Sequence, residues 1–266
     1  MANSGDWYEV SEHKDYLYVI RERLDELDPR FYTTYVNIYL VLGDEKALLI
    51  DTGCGLFPLK PIVDGIIGTR KLLVVNSHFH FDHRGANSEF PEIYIHESEK
   101  NVVSLPLDMS YIKDSSKELI SEYLKKDFIL KPALIANSLK EGDEFDLGGI
   151  KVKVFHTPGH SMGSISLLTD EGDLFTGDTA HYGAMYLPKK RQFSVILGSI
   201  SKLLELFDNS KVQEIYPSHE EYPVGKELLE KLYEGITNIE NIWDTKTKDR
   251  FLGAWILEDE NFQYII

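Results

Sequence analysis

Two strand-rich blocks that alternate with amphipathic helices predict an α/β fold, its sheets covered by helices on their outer faces. The chain has 266 residues and is 42% hydrophobic, enough to bury a sizeable core. Residues 16–20, 35–42 and 47–50 are rich in β-branched, aromatic and aliphatic side chains and read as strands. The last two meet at a turn, Gly43-Asp44, and form a hairpin. Leu72-Leu73-Val74-Val75 is a short run of the buried-strand type that leads into a polar loop. The stretch 97–140 interrupts the strand signals and reads as a helical insertion, either a packing element or a lid. Within it, Leu119, Ile120, Tyr123 and Leu124 share one face of a helix over 116–126. Residues 150–155 alternate apolar and basic side chains, so one face is buried. Strands 165–168 and 174–175 flank Asp170-Glu171-Gly172-Asp173 and form a second hairpin. A helix begins at Ser194 as N-cap, with Ile196, Ile200, Leu203, Leu204 and Phe207 on one face. Another follows Val224, carrying Leu228, Leu229, Leu232, Tyr233 and Ile236. No repeat or disordered linker divides the chain, so 1–266 is expected as a single domain.

Lys and Arg total 28 against 44 Asp and Glu, a formal charge of −16. An acidic surface repels phosphate backbones, which argues against a nucleic-acid partner. Cys54 is the one cysteine, so no internal disulfide can form, and a free thiol suits a reducing cytosol. The stretch from Met1 to Trp7 has neither the basic run nor the apolar segment of a secretory signal. No apolar run approaches the ~20 residues of a membrane helix. A cytoplasmic protein with a small-molecule substrate and no membrane partner is expected; oligomeric state has no signature here.

Nine histidines are present, and their grouping carries the chemistry. The run after 72–75 is Asn76-Ser77-His78-Phe79-His80-Phe81-Asp82-His83-Arg84-Gly85. Residues two apart in an extended segment point the same way, so His78 and His80 can reach one metal together. Asp82 and His83 follow after the chain turns and can serve a second metal beside it. Imidazole and carboxylate suit zinc, and also iron or manganese. Three more candidates each sit just past a strand end: His160 in Thr157-Pro158-Gly159-His160-Ser161, Asp178 in Gly177-Asp178-Thr179, and His219 in Pro217-Ser218-His219. A rigid sheet can hold such loops in place.

Together these residues resemble the metallo-β-lactamase superfamily. Its H-x-H-x-D-H signature appears as His78, His80, Asp82 and His83, its later histidine as His160, its bridging aspartate as Asp178 and its last histidine as His219. Its early Asp-Thr-Gly appears as Asp51-Thr52-Gly53, and the resemblance runs in order from about Asn37 to about Gly225. It implies a four-layer αββα sandwich with two divalent metals at one edge, zinc ahead of iron or manganese. It assigns His78, His80 and His160 to one metal, and Asp82, His83 and His219 to the other. Asp178 would bridge them, and Asp51 would orient ligands from behind. His96 and His156 fall outside that pattern and read as structural, and His13 as a surface residue. The resemblance also implies hydrolysis by a metal-bridging hydroxide with Asp82 as a catalytic group. No serine or cysteine nucleophile is then required, and Cys54 reads as a small packing residue.

β-Lactams, thioesters, lactones and phosphodiesters are all cleaved on this fold, so the substrate has to come from the site. The acidic charge argues against an RNA-processing nuclease. Members that act on β-lactams often lack the full second-metal set present here, and flavin-linked diiron members carry Glu where His80 stands. Trp7-Tyr8, Asn37-Ile38-Tyr39-Leu40-Val41, Asp51-Thr52-Gly53-Cys54-Gly55-Leu56 and Leu203-Leu204-Glu205-Leu206 are similar to the acyl-CoA thioesterase branch. Lactonases usually place a tyrosine three residues after the bridging aspartate, where this chain has His181 and then Tyr182. Hydrolysis of a thioester or related ester is therefore expected, with a lactonase as the main alternative. A phosphodiesterase, a mononuclear-iron persulfide dioxygenase and a metal-stabilised binding protein are further alternatives. Seven ligands without cysteine describe an open, paired site rather than a closed structural zinc. Phe79, Phe81, His181, Tyr182, Met185 and Tyr186 lie near the expected ligands and suit an apolar substrate portion. Lys189-Lys190-Arg191, the one three-residue basic run, is either a clamp for a substrate carboxylate or phosphate or a solvated loop.

Overall fold

The computed structural model describes residues 7–112, 115–209 and 212–266. Residues 1–6, most of the stretch read above as no secretory signal, lie outside them. Strands β1 (Glu9–Lys14), β2 (Leu17–Arg23), β3 (Tyr35–Leu42), β4 (Lys46–Ile50), β5 (Lys71–Val75) and β6 (Glu92–His96) form the first sheet. A short pair, β7 (Leu107–Asp108) and β8 (Ile129–Leu130), stands apart from it, and β9 (Ile135–Leu139) adds its last strand, beside β6. The pairs from β1 to β4 are antiparallel, and β4, β5, β6 and β9 run parallel. The second sheet takes β10 (Glu144–Asp146), β11 (Lys151–His156), β12 (Ile165–Thr169) and β13 (Asp173–Gly177). Beyond β14 (Gly183–Tyr186) in the chain, β15 (Glu214–Pro217) completes that sheet parallel to β13. A third sheet joins β14 to β16 (Thr247–Lys248), β17 (Trp255–Glu258) and β18 (Phe262–Ile265), in the order β14-β18-β17-β16.

Side-chain alternation makes the layers. Along β3 and β4, Tyr39, Val41, Leu48 and Ile50 point into one buried cluster with Val152, Val154, Leu167 and Phe175 of the second sheet. Their neighbours Ile38, Leu40, Ala47 and Leu49 point the other way, against Leu59, Val63 and Ile67 around the helix Lys60–Ile67. A strand buried on both faces has no polar side to show, which is why β3 reads as a continuous apolar run. Leu174 and Ile215 of the second sheet face outward and pack on Ile196, Ile200 and Leu203 of the helix Phe193–Asn209 and on Leu228, Leu229 and Leu232 of the helix Glu227–Thr237. Helix, sheet, sheet, helix is the four-layer αββα order.

Both expected hairpins form, with Leu42 opposite Ala47 and Leu168 opposite Leu174. Three expectations need correction. Residues 97–140 are not uniformly helical: they hold the helices Lys100–Val103 and Lys117–Leu124, the β7–β8 pair, and β9, which belongs to the first sheet. Ser194 caps nothing, because a 3-10 turn, Lys190–Gln192, leads directly into a helix that begins at Phe193. Val224 is spent on a β-bridge to Ile215, and its helix begins three residues later at Glu227. Ser116 does cap the helix Lys117–Leu124, its hydroxyl accepting from the Leu119 N–H.

Candidate metal centre

Each expected group follows the C-terminal end of a strand. Asp51 follows β4, the segment with His78, His80, Asp82 and His83 follows β5, His160 follows β11, Asp178 follows β13 and His219 follows β15. Since β4 runs parallel to β5, and β13 to β15, these ends meet along one edge of the two sheets. Two loops then interlock: the Thr52 N–H donates to the His83 carbonyl at 2.9 Å and the Gly85 N–H to the Gly53 carbonyl at 2.7 Å. Only glycine permits that approach, because a Cβ on Gly85 would stand 2.2 Å from the Cys54 carbonyl carbon.

The ring nitrogens converge in two groups. His78 Nε2, His80 Nδ1 and His160 Nε2 lie 2.8–3.1 Å from one another. His83 Nε2 and His219 Nε2 each lie 3.5 Å from Asp82 Oδ2. Asp178 spans both groups. Its Oδ2 is 3.4 Å from His160 and 3.8 Å from His78, while its Oδ1 is 3.3 Å from His83 and 3.2 Å from His219.

The far nitrogens set the tautomers. His160 Nδ1 donates to the Tyr186 carbonyl at 2.9 Å and His219 Nδ1 to the Tyr35 carbonyl at 2.8 Å. A carbonyl can only accept, so each Nε2 of the neutral ring presents a lone pair to the cluster. His83 Nδ1 meets Asp51 Oδ2 at 2.8 Å, with the same consequence. Asp51 also accepts from the Ser77 N–H at 2.6 Å and the Ser77 hydroxyl at 2.8 Å, and that hydroxyl in turn lies 3.1 Å from His78 Nδ1.

Burial drives His78, His80 and His160 below the ordinary imidazole range, His160 to about 3, so those rings are neutral near pH 7. Three neutral lone pairs that close repel one another unless a cation lies among them. For His83 and His219 burial acts the same way, yet the Asp178 and Asp82 carboxylates prevail and hold both above the ordinary range, His219 at about 9. Burial likewise opposes charge on Asp82, but His83 and His219 bring it down to about 2. His83 Nε2 and Asp178 Oδ1 nonetheless lack a hydrogen-bond partner. All-nitrogen-and-oxygen donor sets with fixed tautomers and orphaned buried atoms fit divalent cations. His78, His80, His160 and Asp178 would hold one, and Asp82, His83 and His219 another.

A cavity of about 290 Å³ opens beside these groups. His80, Asp82, His160, Asp178 and His219 line it on one side, and Phe79, Phe81 and Tyr186 contribute apolar surface. The other sequence candidates sit elsewhere. His181 is buried with its ring 5.0 Å from that of His219, its Nδ1 donates to the Tyr182 carbonyl, and its Nε2 has no partner. Tyr182 stacks on Phe262, and Met185 is wholly within the third apolar cluster. Lys190 pairs with Glu240 and lies over Trp243, Lys189 and Arg191 are exposed, and none of the three lines the cavity. His96 and His156 stack on each other at 3.9 Å, away from the cluster, and His13 packs edge-on against Tyr216. Cys54 is fully buried.

Several contributors have no side-chain signature in the sequence. Ser77 braces both Asp51 and His78, and the Tyr35 and Tyr186 carbonyls orient two rings. Leu24, Phe31 and Leu252 reach the cavity from far along the chain, and Leu107 and Tyr111 reach it from 97–140.

The chain is similar to known proteins. The human protein named acyl-coenzyme A thioesterase MBLAC2 (Homo sapiens) is 31% identical over 237 residues, which cover 80% of this chain and 81% of that protein. The probable metallo-hydrolase YqgX of Bacillus subtilis (strain 168) is 30% identical over 156 residues, 56% of this chain and 68% of that one. Among solved structures, the metallo-beta-lactamase family protein TTHA1429 from Thermus thermophilus superposes with a TM-score of 0.63 at 18% identity, covering 86% of this chain and 82% of its own. Residues 32–229 match the family model described as Metallo-beta-lactamase superfamily. The chain therefore belongs to the metallo-beta-lactamase superfamily, as one of its metallo-hydrolases.

Proposed function

We propose that this protein is a thioesterase that binds two divalent metal ions, zinc first among them, and cleaves an acyl-CoA or a related thioester. The observation that carries this reading is the apolar cavity placed against the two convergent ligand groups. The relative named acyl-coenzyme A thioesterase, alike over four-fifths of the chain, supports it. Metals held by the two groups would supply Lewis acidity and a water acidic enough to ionise near neutral pH. The chain's own residues do the rest. Phe79, Phe81 and Tyr186 exclude bulk water around an acyl group. Asp51 and the Tyr35 and Tyr186 carbonyls keep the imidazole lone pairs on target. Water adds to the acyl carbon, the C–S bond breaks, and a carboxylic acid and a thiol leave. Asp82 lines the cavity, so its carboxylate is placed to take the proton from water and return one to the departing sulfur.

The cavity is smaller than the ~300–1,000 Å³ that holds a whole drug-sized ligand. It suits the acyl part, with the carrier thiol outside. A panel of acyl-CoA, glutathione thioester, lactone and phosphodiester substrates, each assayed with and without chelator, tests the reading. Chelator-sensitive release of thiol from acyl-CoA is expected. Hydrolysis of lactones alone, or of phosphodiesters alone, overturns the thioesterase assignment.

A further inference from the structure

Arg84 is a largely buried cation that makes no contact ion pair among the described residues. It follows His83 directly and ends the short helix Phe81–Arg84, so its position is fixed by the same turn that places the histidine. The side chain is only 7% exposed overall and lines the cavity beside Phe81, Leu107 and Tyr111. Nη1 donates to the carbonyls of Val102 at 3.0 Å and Leu105 at 3.4 Å. Nε is buried and has no partner. Among the described residues no carboxylate makes an ion pair with it. Glu99 acts on it through space and not by contact: its Oε1 accepts from the Gly163 N–H at 2.7 Å and its Oε2 is buried without a hydrogen-bond partner. A guanidinium stays charged at any working pH, so burying it without a contact ion pair is costly. Two backbone carbonyls and the field of Glu99 offset part of that cost, and Nε is still without a hydrogen-bond partner.

Resting on the thioesterase reading, we infer that Arg84 is a specificity-determining residue that binds an anionic group, a carboxylate, carried by the substrate at the end of its acyl portion away from the scissile bond. The substrate class is then an ω-carboxyacyl thioester, the half-thioester of a dicarboxylic acid. The cavity geometry is consistent with such a molecule. Its thioester end lies at His80, Asp82, His160, Asp178 and His219, its methylenes lie along Phe79 and Phe81, and its carboxylate reaches the planar fork of the guanidinium. A neutral acyl chain of the same length would leave the cation buried and unpaired, a penalty that discriminates strongly between the two substrates.

The test compares hexanoyl-CoA with adipoyl-CoA, and both with the hexanoyl thioester of glutathione, which carries its carboxylates on the thiol side instead. Wild-type kcat/KM is expected to favour adipoyl-CoA by about tenfold or more, with most of the difference in KM. Arg84→Met should abolish or reverse that preference, and Arg84→Lys should restore part of it. Equal or better turnover of hexanoyl-CoA by the wild-type protein overturns the inference while leaving the thioesterase reading intact. A preference for the glutathione thioester over both CoA esters overturns it too, since the anion is then recognised on the thiol side. A binding measurement separates the two levels of the argument. Calorimetric titration of the metal-loaded protein with adipate against hexanoate is expected to favour adipate in the wild type and not in Arg84→Met. If no thioester is hydrolysed but this adipate preference is present and depends on Arg84, the anion site stands and the thioesterase reading falls. Equal binding of the two acids overturns the anion site whatever the activity. Circular dichroism of both variants guards against misfolding, and the wild-type comparisons need no variant at all.

Discussion

Asp51 is the residue on which most of the site's orientation depends. Its two oxygens accept from the Ser77 N–H, the Ser77 hydroxyl and His83 Nδ1, and it does so in a left-handed backbone conformation, φ 67°. Asp tolerates that region better than most side chains, but the strain persists only because the surrounding bonds over-determine it. Asp51→Asn keeps the shape and lets an amide N–H meet His83 Nδ1, which favours the wrong tautomer. Metal affinity and turnover are expected to fall about 10- to 100-fold, checked by metal titration and by thiol release. Glu22 makes a second prediction. Burial pushes its carboxyl from 4.5 up to about 7, against an opposing hydrogen bond from the Cys54 N–H. Such a group binds its proton more tightly folded than unfolded, so the stability it contributes is full below pH 4.5 and is lost as pH rises through about 7. Over that window the loss amounts to about 3 kcal/mol. Glu22→Gln should flatten the dependence, and a urea midpoint that falls equally with pH in both proteins would exclude the idea. The metal-seeking histidines are legible from sequence because side-chain type and spacing announce them. Glu22 is not, since nothing in Arg21-Glu22-Arg23 distinguishes a buried carboxylate from the solvated one its neighbours suggest.

Strands and helices were legible in proportion to how much of their surface is buried. β3 is almost entirely inside, and its apolar run says so. β1 carries Glu-Val-Ser-Glu-His-Lys at an exposed edge, a composition that keeps an edge strand from pairing with another chain and also hides it from a hydrophobicity reading. The strands β14 and β16–β18 are two to four residues long, too short for alternation to register. β9 was hidden for another reason: Ile135-Ala136-Asn137-Ser138-Leu139 has polar residues in its middle and runs parallel to β6, so its partner is far away in sequence. The close approach between the loops after β4 and β5 is likewise invisible until both are placed. It yields a prediction, because Gly85 has a helical φ of −59° and an added methyl would be resisted by the backbone of Cys54 and Gly55 and not by its own conformation. Gly85→Ala should cost about 1–3 kcal/mol of stability through overpacking. It should also weaken metal binding, because the Gly85 N–H bond to Gly53 and the Thr52 N–H bond to His83 share that contact. Unchanged thermal stability with unchanged metal affinity would count against this account.

Taken as a whole, the molecule separates what folds it from what reacts. Three apolar clusters account for the outer face of the first sheet, the space between the two sheets, and the outer face of the second. None of the seven candidate ligands belongs to any of them; all sit at one sheet edge, five in loops and Asp82 and His83 in the short helix Phe81–Arg84. That separation explains why the αββα arrangement and the ligand set could be anticipated while most of the cavity, Phe79, Phe81 and Tyr186 apart, could not. Strand pattern and motif order are local in sequence, whereas Leu24, Phe31, Tyr111, Tyr186 and Leu252 meet only after the chain has closed. No helix among the described residues is long and apolar enough to cross a membrane. The same separation decides what removing metal should do. Elemental analysis of protein purified without added metal is expected to give about two divalent ions per chain, with zinc leading. Chelation should abolish thiol release while far-UV circular dichroism stays native, because the sheets and helices owe their packing to the three clusters. Stability should still drop, since each ion that binds only the folded state at about 1,000 times its dissociation constant contributes about 4 kcal/mol, roughly 10 °C in melting temperature per ion for a chain of this size. Stoichiometry near zero, or activity indifferent to chelator, would remove the metal from the mechanism. Complete unfolding on chelation would mean instead that the ions, and not the apolar clusters, hold the four layers together.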